Sequence, residues 1–455
     1  MTRVNRIKQI LDQLVCHAAE YRDFANSHMT EYFTGDLYGK LVRDELRREI
    51  ESIGTDNTLE ALFECKLNPC TPHLNSYVEK HKQFSLYNFH DTCLSLCSFN
   101  ERLNDLGFEP VAGMSLKKFQ NAKKSHEVEI MASVVATLRN VTGASHVVDV
   151  GDGKGYLSSM LTLRHDIPVL GVDSSETNTR SATDRIRKLS KRWREFSNGD
   201  DADASLYKQV TQFVTPQIDF DRLINGAFSE NHDGIVLVGL HTCGNLSPTS
   251  LRIFKHDGNV TGLCNVSCCY HLLNERYEMS NACDDLVGFP MSRHLRERRV
   301  ELNRNVRMLG VKSLDRILHD KELPNKYVFY RAVFEVILEM NRVKNTEHVG
   351  KLKKNLSFVE YVRVALQKIG VHIQMGDDEI NGVYDKYVER ETEVYVFYML
   401  RNMLAPLIES VILLDRLLYL LENGYENSFL VHLFDPVISP RCYGLISFKN
   451  AQSVA

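Results

Sequence analysis

The sequence predicts an α/β fold: a mostly parallel, Rossmann-like sheet with a helical N-terminal region and helical C-terminal insertions. The β-branched run at 146–150 leads through a glycine-rich turn into a helical pattern at 156–163. A second apolar run at 167–173 ends in an acid, and two more, at 234–240 and 262–268, are followed by polar residues. Alternating strand and helix patterns indicate parallel strands joined by helices.

The length of 455 residues exceeds what one hydrophobic core normally holds, so more than one compact region is expected. We predict a helical region at 1–110, a Rossmann-like core at 111–300, and a helical insertion at 301–455 with a C-terminal segment that returns to the core. The net charge of −4 gives no global attraction to nucleic acid, although a local basic face is compatible with it.

The cysteines and the longest apolar stretch bear on the cellular location. The 11 cysteines are scattered, and Met1–Arg6 leads into an amphipathic pattern rather than a secretory apolar segment. We therefore expect reduced thiols and a cytoplasmic or nuclear protein. The apolar stretch at 404–421 predicts a buried helix and not a membrane span, because polar residues interrupt it: Pro406, Glu409, Asp415 and Arg416. The oligomeric state stays open.

The first 135 residues have mainly helical patterns, and a basic segment at 117–129 precedes the first strand of the predicted core. Lys124 and His126 in this segment are placed to face a substrate or the carboxylate of a cofactor. The alternative is a solvated helix start capped by Ser125. The sequence does not decide between the two.

The turn after 146–150 carries glycines at 151, 153 and 155, which allow a backbone to turn sharply and approach a ligand. Dinucleotide-binding turns have the spacing G-x-G-x-x-G, whereas this one is G-x-G-x-G. Asp149 precedes the turn, and an acid there suits the cationic methionine part of S-adenosylmethionine better than a pyrophosphate. We therefore expect S-adenosylmethionine as cofactor, with Asp149, Gly151, Gly153 and Gly155 contacting it. The alternative is a glycine-rich turn without a ligand.

Asp173 lies about 20 residues beyond the turn, where an acid at the end of the second strand binds ribose hydroxyls. The alternative role for Asp173 is that of a helix cap or turn residue. The helical pattern at 179–196 follows, and its basic residues make it the best local candidate for phosphate contact: Arg180, Arg185, Arg187, Lys188, Lys191, Arg192 and Arg194.

Two later strands end in histidine and cysteine. His241 and Cys243 follow the first, and Cys268, Cys269 and His271 end the second. The carboxyl ends of parallel strands share one sheet edge, so these side chains are expected to border a methyl acceptor. Three interpretations are open: a zinc site, a nucleophilic thiolate, and buried cysteines that shape the pocket. The last is favoured, and no metal ligands are assigned.

Several linked motifs resemble the methyltransferase-like protein 25 family, also named after a ribosomal RNA adenine dimethylase domain. The resemblance covers roughly residues 110 to 450, and ordered motifs are more specific than one glycine loop. Its main segments are Lys123–Val128, Asp149–Ser158, Gly239–Leu246, Cys268–Leu273, Gly288–Ser292, Leu433–Pro436 and Ser439–Arg441.

The resemblance implies a class I, Rossmann-like methyltransferase fold with S-adenosylmethionine as cofactor. A more distant similarity to tRNA 2′-O-methyltransferases rests on the K-x-x-H, G-x-G-K-G, H-x-C-G and C-C-x-H motifs. Adenine dimethylases have an Asn-Leu-Pro-Tyr-like turn where this chain has 241–244, His-Thr-Cys-Gly. Adenine dimethylation of rRNA is therefore not expected.

The residues together predict an S-adenosylmethionine-dependent methyltransferase, with RNA (tRNA or rRNA) favoured over protein as the acceptor. His241, Cys243, Lys124 and His271 are the candidate catalytic residues, and His241 or Lys124 would help an acceptor hydroxyl or amine lose its proton. One alternative is a catalytically silent scaffold that binds RNA or a protein partner. Another is a zinc-dependent module.

Overall fold

A computed structural model describes residues 2–65, 68–112, 122–193, 203–229, 232–279, 283–344, 349–353 and 355–449. The chain forms two compact units. The sheet unit lies within residues 1–19, 84–313 and 406–455, and the helical unit within residues 20–83 and 314–405. Each unit thus combines segments that are distant in sequence, whereas the predicted ranges 1–110, 111–300 and 301–455 follow the chain in order.

The sheet unit contains an eight-stranded sheet with the order β1-β7-β8-β6-β5-β2-β3-β4. Strand β8 is antiparallel to β6 and β7, and the other neighbouring pairs are parallel. The strands are β1 (Cys93–Ser95), β2 (His146–Val150), β3 (Val169–Asp173), β4 (Tyr207–Thr211), β5 (Ile235–Cys243), β6 (Val260–Cys268), β7 (Ser428–His432) and β8 (Tyr443–Phe448). This sheet confirms the predicted α/β class.

The α-helices of the described residues are numbered in chain order. They are α1 (Arg3–Glu20), α2 (Arg22–Asn26), α3 (Leu37–Leu41), α4 (Asp44–Ile53), α5 (Thr55–Glu64), α6 (Pro72–Lys82), α7 (Leu96–Asp105), α8 (Ala122–Thr142), α9 (Tyr156–His165), α10 (Glu176–Ser190), α11 (Phe220–Phe228), α12 (Leu246–His256), α13 (Arg293–Glu297), α14 (Arg304–Leu309), α15 (Leu314–His319), α16 (Tyr327–Met340), α17 (Phe358–Lys368), α18 (Asp377–Tyr387), α19 (Glu391–Asn402) and α20 (Ala405–Glu422).

The central strands are buried on both faces, as their continuous apolar runs predict. All five residues of β2 are buried, and so are the first five of β5. Helix α8 packs against β5, β6 and β8, while α10 packs against β3 and β4 and α12 packs against β5 and β6. Burial of these apolar surfaces holds the strand ends in fixed positions.

The strand order changes direction between the neighbouring parallel strands β2 and β5. From β2 it continues to β3 and β4 on one side, and from β5 it continues to β6 on the other. In open α/β sheets the crevice at such a reversal, at the carboxyl ends of the strands, is where ligands bind. The glycine turn, Asp173 and His241 all lie at this edge.

The structure corrects one local prediction and adds elements that the sequence patterns did not indicate. Helix α8 begins at Ala122, so Ser125 lies inside it and does not cap it. The strands β1, β4 and β7 were not predicted, because β1 has only three residues and the apolar residues of β4 and β7 are interrupted or flanked by polar ones. Residues 113–121, part of the basic segment, lie outside the described residues.

The helical unit has a core of aromatic side chains. Phe397 contacts Phe24 and Tyr32 edge-on, with ring centroids 4.9 and 5.2 Å away, and the Tyr32 hydroxyl donates to Glu393 Oε1 at 2.8 Å. Helix α5 packs against α4, α15 and α19, and α18 packs against α16 and α17. Edge-to-face ring pairs add about 0.5–1.5 kcal/mol each beyond the area they bury.

Among the described helices, none is long and apolar enough to cross a lipid bilayer. Helix α20, which contains most of the longest apolar stretch, instead buries Asp415 and Arg416 together with its leucines. The structure therefore confirms the buried helix that was predicted for this stretch.

Candidate active site

The loop between β2 and α9 contains three glycines in the left-handed backbone region. Their φ angles are 74° at Gly151, 61° at Gly153 and 67° at Gly155. A Cβ at Gly151 would lie 3.0 Å from Leu246 Cδ2, and one at Gly155 would collide with the Tyr207 hydroxyl. Glycine is required at these two positions for space as well as for conformation.

A pair of carboxyl groups lies under this loop. Asp149 is 1% exposed, and the Ser158 hydroxyl lies 3.0 Å from Asp149 Oδ2 and 2.7 Å from Asp152 Oδ1. The Tyr207 hydroxyl also donates to Asp152. Burial raises the pKa of Asp152 to about 6, and burial together with the Asp152 charge raises the pKa of Asp149. The pair therefore tends to keep a proton that exposed aspartates would have released.

Asp173, at the end of β3, connects the glycine loop to the start of α10. Its Oδ2 accepts from the Gly153 N–H at 3.0 Å, and its Oδ1 accepts from the Ser175 N–H at 2.8 Å and from Asn178 Nδ2 at 3.1 Å. Ser175 caps α10, so Asp173 is not the cap. A carboxylate offers about four acceptor positions, which leaves Asp173 capacity for one ligand hydroxyl.

A cavity of about 820 Å³ opens at this edge of the sheet. That volume lies within the range of about 300–1,000 Å³ found for small-molecule sites. Its wall combines the ends of β2, β3 and β5 with the segment after β4 and the turns after β6. The lining residues used below are Gly151, Asp173, Phe213, His241, Cys243 and Leu246.

His241 is held at this cavity by a distant carboxylate. A bulge between β5 and β6 removes His241 from the strand pairing and gives it a left-handed φ of 67°. Its Nε2 lies 2.9 Å from Oε1 of Glu127, a fully buried residue of α8. The Ser439 hydroxyl donates to the same oxygen at 2.6 Å, and Lys124 Nζ lies 3.6 Å from Oε2.

The environment of Glu127 favours the carboxylate. Burial alone would raise its pKa, but the hydrogen bonds from His241 and Ser439 and the charges of His241 and Lys124 lower it to about 2. An ionised Glu127 accepts a hydrogen bond from the Nε2–H of His241, which makes Nδ1 the basic nitrogen of a neutral imidazole. Within the described residues, Nδ1 has no hydrogen-bond partner.

The two residues predicted on α8 have different surroundings. The Lys124 ammonium lies 5.3 Å from the centre of the Tyr156 ring, at the start of α9, and also pairs with Glu127. His126 instead accepts from the Asp435 N–H at 3.0 Å and contacts the Phe434 ring. Lys124 is thus next to the glycine loop, whereas His126 packs against the C-terminal segment.

Three cysteines meet at the ends of β5 and β6. Cys243 Sγ lies 3.0 Å from Cys268 Sγ and 3.4 Å from Cys269 Sγ. The hydrogen bond from Cys268 lowers the pKa of Cys243 to about 6; burial opposes this, and Cys269 and His241 add to it. Cys243 is exposed in the cavity wall, so the thiol most easily ionised is also the accessible one.

His271 is separate from this sulfur group. It lies in the single helical turn after β6, and its Nδ1 is buried without a hydrogen-bond partner. Burial lowers its pKa, and the charges of Arg304 and Arg307 act in the same direction. The structure therefore brings His241 and Cys243 to the cavity, while His271 is not among its lining residues.

The residues at this edge fit S-adenosylmethionine. Gly151 lines the cavity, and its lack of a side chain allows a ligand to approach the loop backbone there. Beneath the loop, Asp149 Oδ1 is a buried carboxyl oxygen without a hydrogen-bond partner among the described residues. Asp173 retains an acceptor position for a ribose hydroxyl, and Phe213, which is 71% exposed, offers an aromatic face for the base.

Several residues of the site had no sequence signal. Glu127 was visible as part of a basic segment, but its partner His241 is 114 residues away. Ser158 and Tyr207 support the carboxyl pair, and Phe213 follows a strand too short to predict. For Ser158 the sequence offered one weak signal, its position on the first turn of the helix that follows the loop, two residues past Tyr156.

The chain is similar in sequence to proteins named as methyltransferases. Residues 123–276 match a protein family described as a methyltransferase domain. The chain is 30% identical to the probable methyltransferase-like protein 25 of Mus musculus, over 89% of this chain and 87% of the mouse protein. It is 31% identical to the Homo sapiens protein of the same name, over 74% of this chain and 76% of the human one.

Among solved structures, the chain is similar to a magnesium protoporphyrin IX methyltransferase from Synechocystis PCC 6803. The identity is 14%, the match covers 42% of this chain and 70% of the other, and the TM-score is 0.22.

Proposed function

The chain belongs to the methyltransferase-like protein 25 family. We propose that it methylates RNA, of the tRNA or rRNA class. The family and the methyltransferase domain confirm the expected enzyme class, with S-adenosylmethionine as methyl donor. The acceptor is the part that we propose. It is supported by the orientation of His241 and by a basic helix beside the glycine loop.

When bound, S-adenosylmethionine supplies an electrophilic methyl group on a sulfonium that is also the leaving group. The protein therefore has to align the acceptor and accept its proton. Asp149, the glycine loop and Asp173 would hold the cofactor at the ends of β2 and β3. His241, at the end of β5, would face the acceptor across the same cavity.

His241 is suited to take a proton from a hydroxyl or an amine. Glu127 fixes the ring through Nε2 and leaves Nδ1 as the acceptor nitrogen. A buried, ionised Glu127 also stabilises the positive charge that the imidazole acquires on accepting the proton. Lys124 pairs with Glu127, so we assign it to that carboxylate and not to proton transfer.

The observation that carries the RNA acceptor is the basic face of α10. Arg180, Arg187 and Lys188 are exposed on this helix, which begins three residues after Asp173. Arg185 joins it to the glycine loop: its Nε donates to the Lys154 carbonyl at 3.0 Å. Exposed cations beside a methyl-donor site favour a phosphate-bearing acceptor over an uncharged one.

The test is transfer of label from S-adenosylmethionine, labelled in the methyl group, to separated tRNA, rRNA and protein fractions. We expect label in tRNA or rRNA that ribonuclease releases and protease does not. Asp173→Ala should abolish the label, because it removes a ligand of the cofactor ribose. Label confined to the protein fraction, with the wild-type chain active, would overturn the RNA proposal.

A second arm tests the basic face. Arg187→Glu combined with Lys188→Glu should weaken RNA binding and reduce the dependence of log affinity on log salt by about 2. Arg102→Glu is the matched control, because Arg102 is an exposed arginine on α7 of the same unit. An equal loss of RNA affinity in both variants would remove α10 as the RNA contact.

A further inference from the structure

The sulfur atoms of Cys243, Cys268 and Cys269 all lie within 4.8 Å of one another. Cys243 and Cys268 are the last residues of β5 and β6 and are direct partners across the two parallel strands. Cys269, the next residue, has a left-handed φ of 53°, which places its sulfur in the same group. Neighbouring strand ends and one unusual backbone conformation thus bring three thiols together.

The three sulfurs are close enough to share one metal ion. Zinc binds thiolate sulfur at about 2.3 Å in a tetrahedral arrangement, which separates two ligand sulfurs by about 3.8 Å. The observed separations of 3.0 and 3.4 Å are those of hydrogen-bonded thiols, so zinc would require these sulfurs to move apart by about 0.4–0.8 Å. A disulfide needs about 2.05 Å, so the sulfurs stand apart as free thiols.

An independent observation concerns Arg416, whose charge is buried beside this group. The residue is 1% exposed, its Nη1 donates to Ser247 Oγ at 3.1 Å, and its Nε and Nη2 have no hydrogen-bond partner. Within the described part of the chain it forms no ion pair. The groups that favour its charge are Tyr270, Asp415 and Cys268, in that order, and its guanidinium lies 5.8 Å from the centre of the Tyr270 ring. A buried charge is normally compensated, so further negative charge at Cys268 would be favourable here.

We infer that Cys243, Cys268 and Cys269 bind one zinc ion through their thiolates, with the fourth position open to the cavity. Three thiolates and a zinc dication carry one net negative charge, which Arg416 would balance. Binding releases the proton of each thiol that is still protonated, and no electron is transferred. Soft sulfur ligands select zinc over magnesium or calcium. His241 is excluded as the fourth ligand through Nε2 because Glu127 holds that nitrogen.

This inference does not depend on the proposed acceptor, because metal binding is measured without methyl transfer. The full chain is purified with reductant, stripped with a chelator, reloaded with zinc, freed of unbound metal and analysed for its metal content. We expect one zinc per chain. Loading with cobalt should give the visible absorption of a tetrahedral thiolate site, which reports sulfur ligation directly.

Single variants identify the ligands. Cys268→Ser and Cys269→Ser should each lower zinc affinity more than about 100-fold, beyond the 10- to 100-fold that loss of an outer partner costs. Cys264→Ala and Cys283→Ser are the controls: Cys264 is a buried thiol of β6 outside the group, and Cys283 is an exposed thiol of the cavity wall. Both should keep full zinc content, and circular dichroism verifies that each variant is folded.

Two outcomes would overturn the zinc site. One is a folded wild-type chain that retains less than a tenth of an equivalent of zinc after reloading. The other is a folded Cys268→Ser variant that binds zinc as tightly as wild type. If mass spectrometry finds a Cys243–Cys268 disulfide and the reduced protein still binds no zinc, the group is a redox pair and the inference is wrong.

Discussion

The two halves of the proposed active site are built over very different distances along the chain. The cofactor half consists of Asp149, the glycine loop at 151–155 and Asp173, and its hydrogen bonds join residues 9 and 20 positions apart. The acceptor half consists of Glu127, His241, Cys243 and Ser439. Its hydrogen bonds join residues 114 and 312 positions apart.

This difference predicts what substitutions in each half should change. The cofactor half is a short strand–loop–helix–strand segment, so a change there strains the backbone locally and also removes the cofactor site. The acceptor half depends on side chains that meet only when the whole sheet unit is folded. Changes there should alter catalysis with little effect on cofactor binding, and each prediction below tests that contrast.

The largest effect is expected at His241. His241→Asn removes the basic nitrogen, and asparagine tolerates the left-handed φ of 67° at this position. The rate of methyl transfer should fall about 10²- to 10⁴-fold, the usual contribution of a general base. Calorimetric affinity for S-adenosylmethionine should stay within about twofold of wild type, a change of less than about 0.5 kcal/mol, because His241 lies in the acceptor half.

The control is His256→Asn, at an exposed histidine that ends α12. It should leave the rate unchanged. If His241→Asn weakens cofactor binding as strongly as it slows transfer, the two halves are not separable in the way described.

The next effect is expected at Gly155, in the cofactor half. Gly155→Ala places a Cβ against the Tyr207 hydroxyl and near Ala182, at a φ of 67°. We expect a loss of about 2–4 kcal/mol in the free energy of unfolding, from strain and overpacking together. Denaturant unfolding measures it, and cofactor affinity should fall as well.

Gly143→Ala is a closely matched control, because Gly143 has the same φ of 67° and a Cβ there would contact nothing within 4 Å. It should cost only about 1–2 kcal/mol, the conformational part. Equal losses at the two glycines would show that the loop is not closely packed against Tyr207.

The carboxyl pair under the loop gives a smaller, pH-dependent effect. Because the folded-state pKa of Asp152 is raised to about 6, its contribution to stability is present below the ordinary pKa near 4 and is lost as pH rises through about 6. Asp149→Asn removes one charge of the pair. Relative to wild type, the variant should gain about 1–3 kcal/mol of stability at pH 8 and less at pH 4.

Thermal melts of the wild type and of Asp149→Asn from pH 4 to pH 8 measure the difference in stability. The contributions of other titrating groups are the same in both proteins and cancel in this difference. The same variant should lose affinity for the cationic end of S-adenosylmethionine. A constant stability difference from pH 4 to pH 8 would contradict the shared proton.

The sequence predicted the local features of the cofactor half better than the distant contacts of the acceptor half. The strands β2, β3, β5 and β6 and the position of the glycine turn between strand and helix were predictable because apolar runs and glycine spacing are local properties. The pairing of Glu127 with His241 was not, because no pattern in α8 reports what lies opposite it in the fold. Strand β7 was likewise not predicted, although the return of the C-terminal segment to the sheet was.

The smallest effect, at Ser439, tests whether the acceptor half depends on that distant segment. Ser439→Ala removes one of the hydrogen bonds to Glu127, which keeps His241 and Lys124 as partners. We expect a loss of about 1 kcal/mol in stability and a several-fold slower transfer, because Glu127 holds His241 less firmly. Ser439→Thr, which keeps the hydroxyl, should recover the rate if the donor matters. Cofactor affinity should not change in either variant; a loss of affinity with an unchanged rate would place Ser439 in the cofactor half instead.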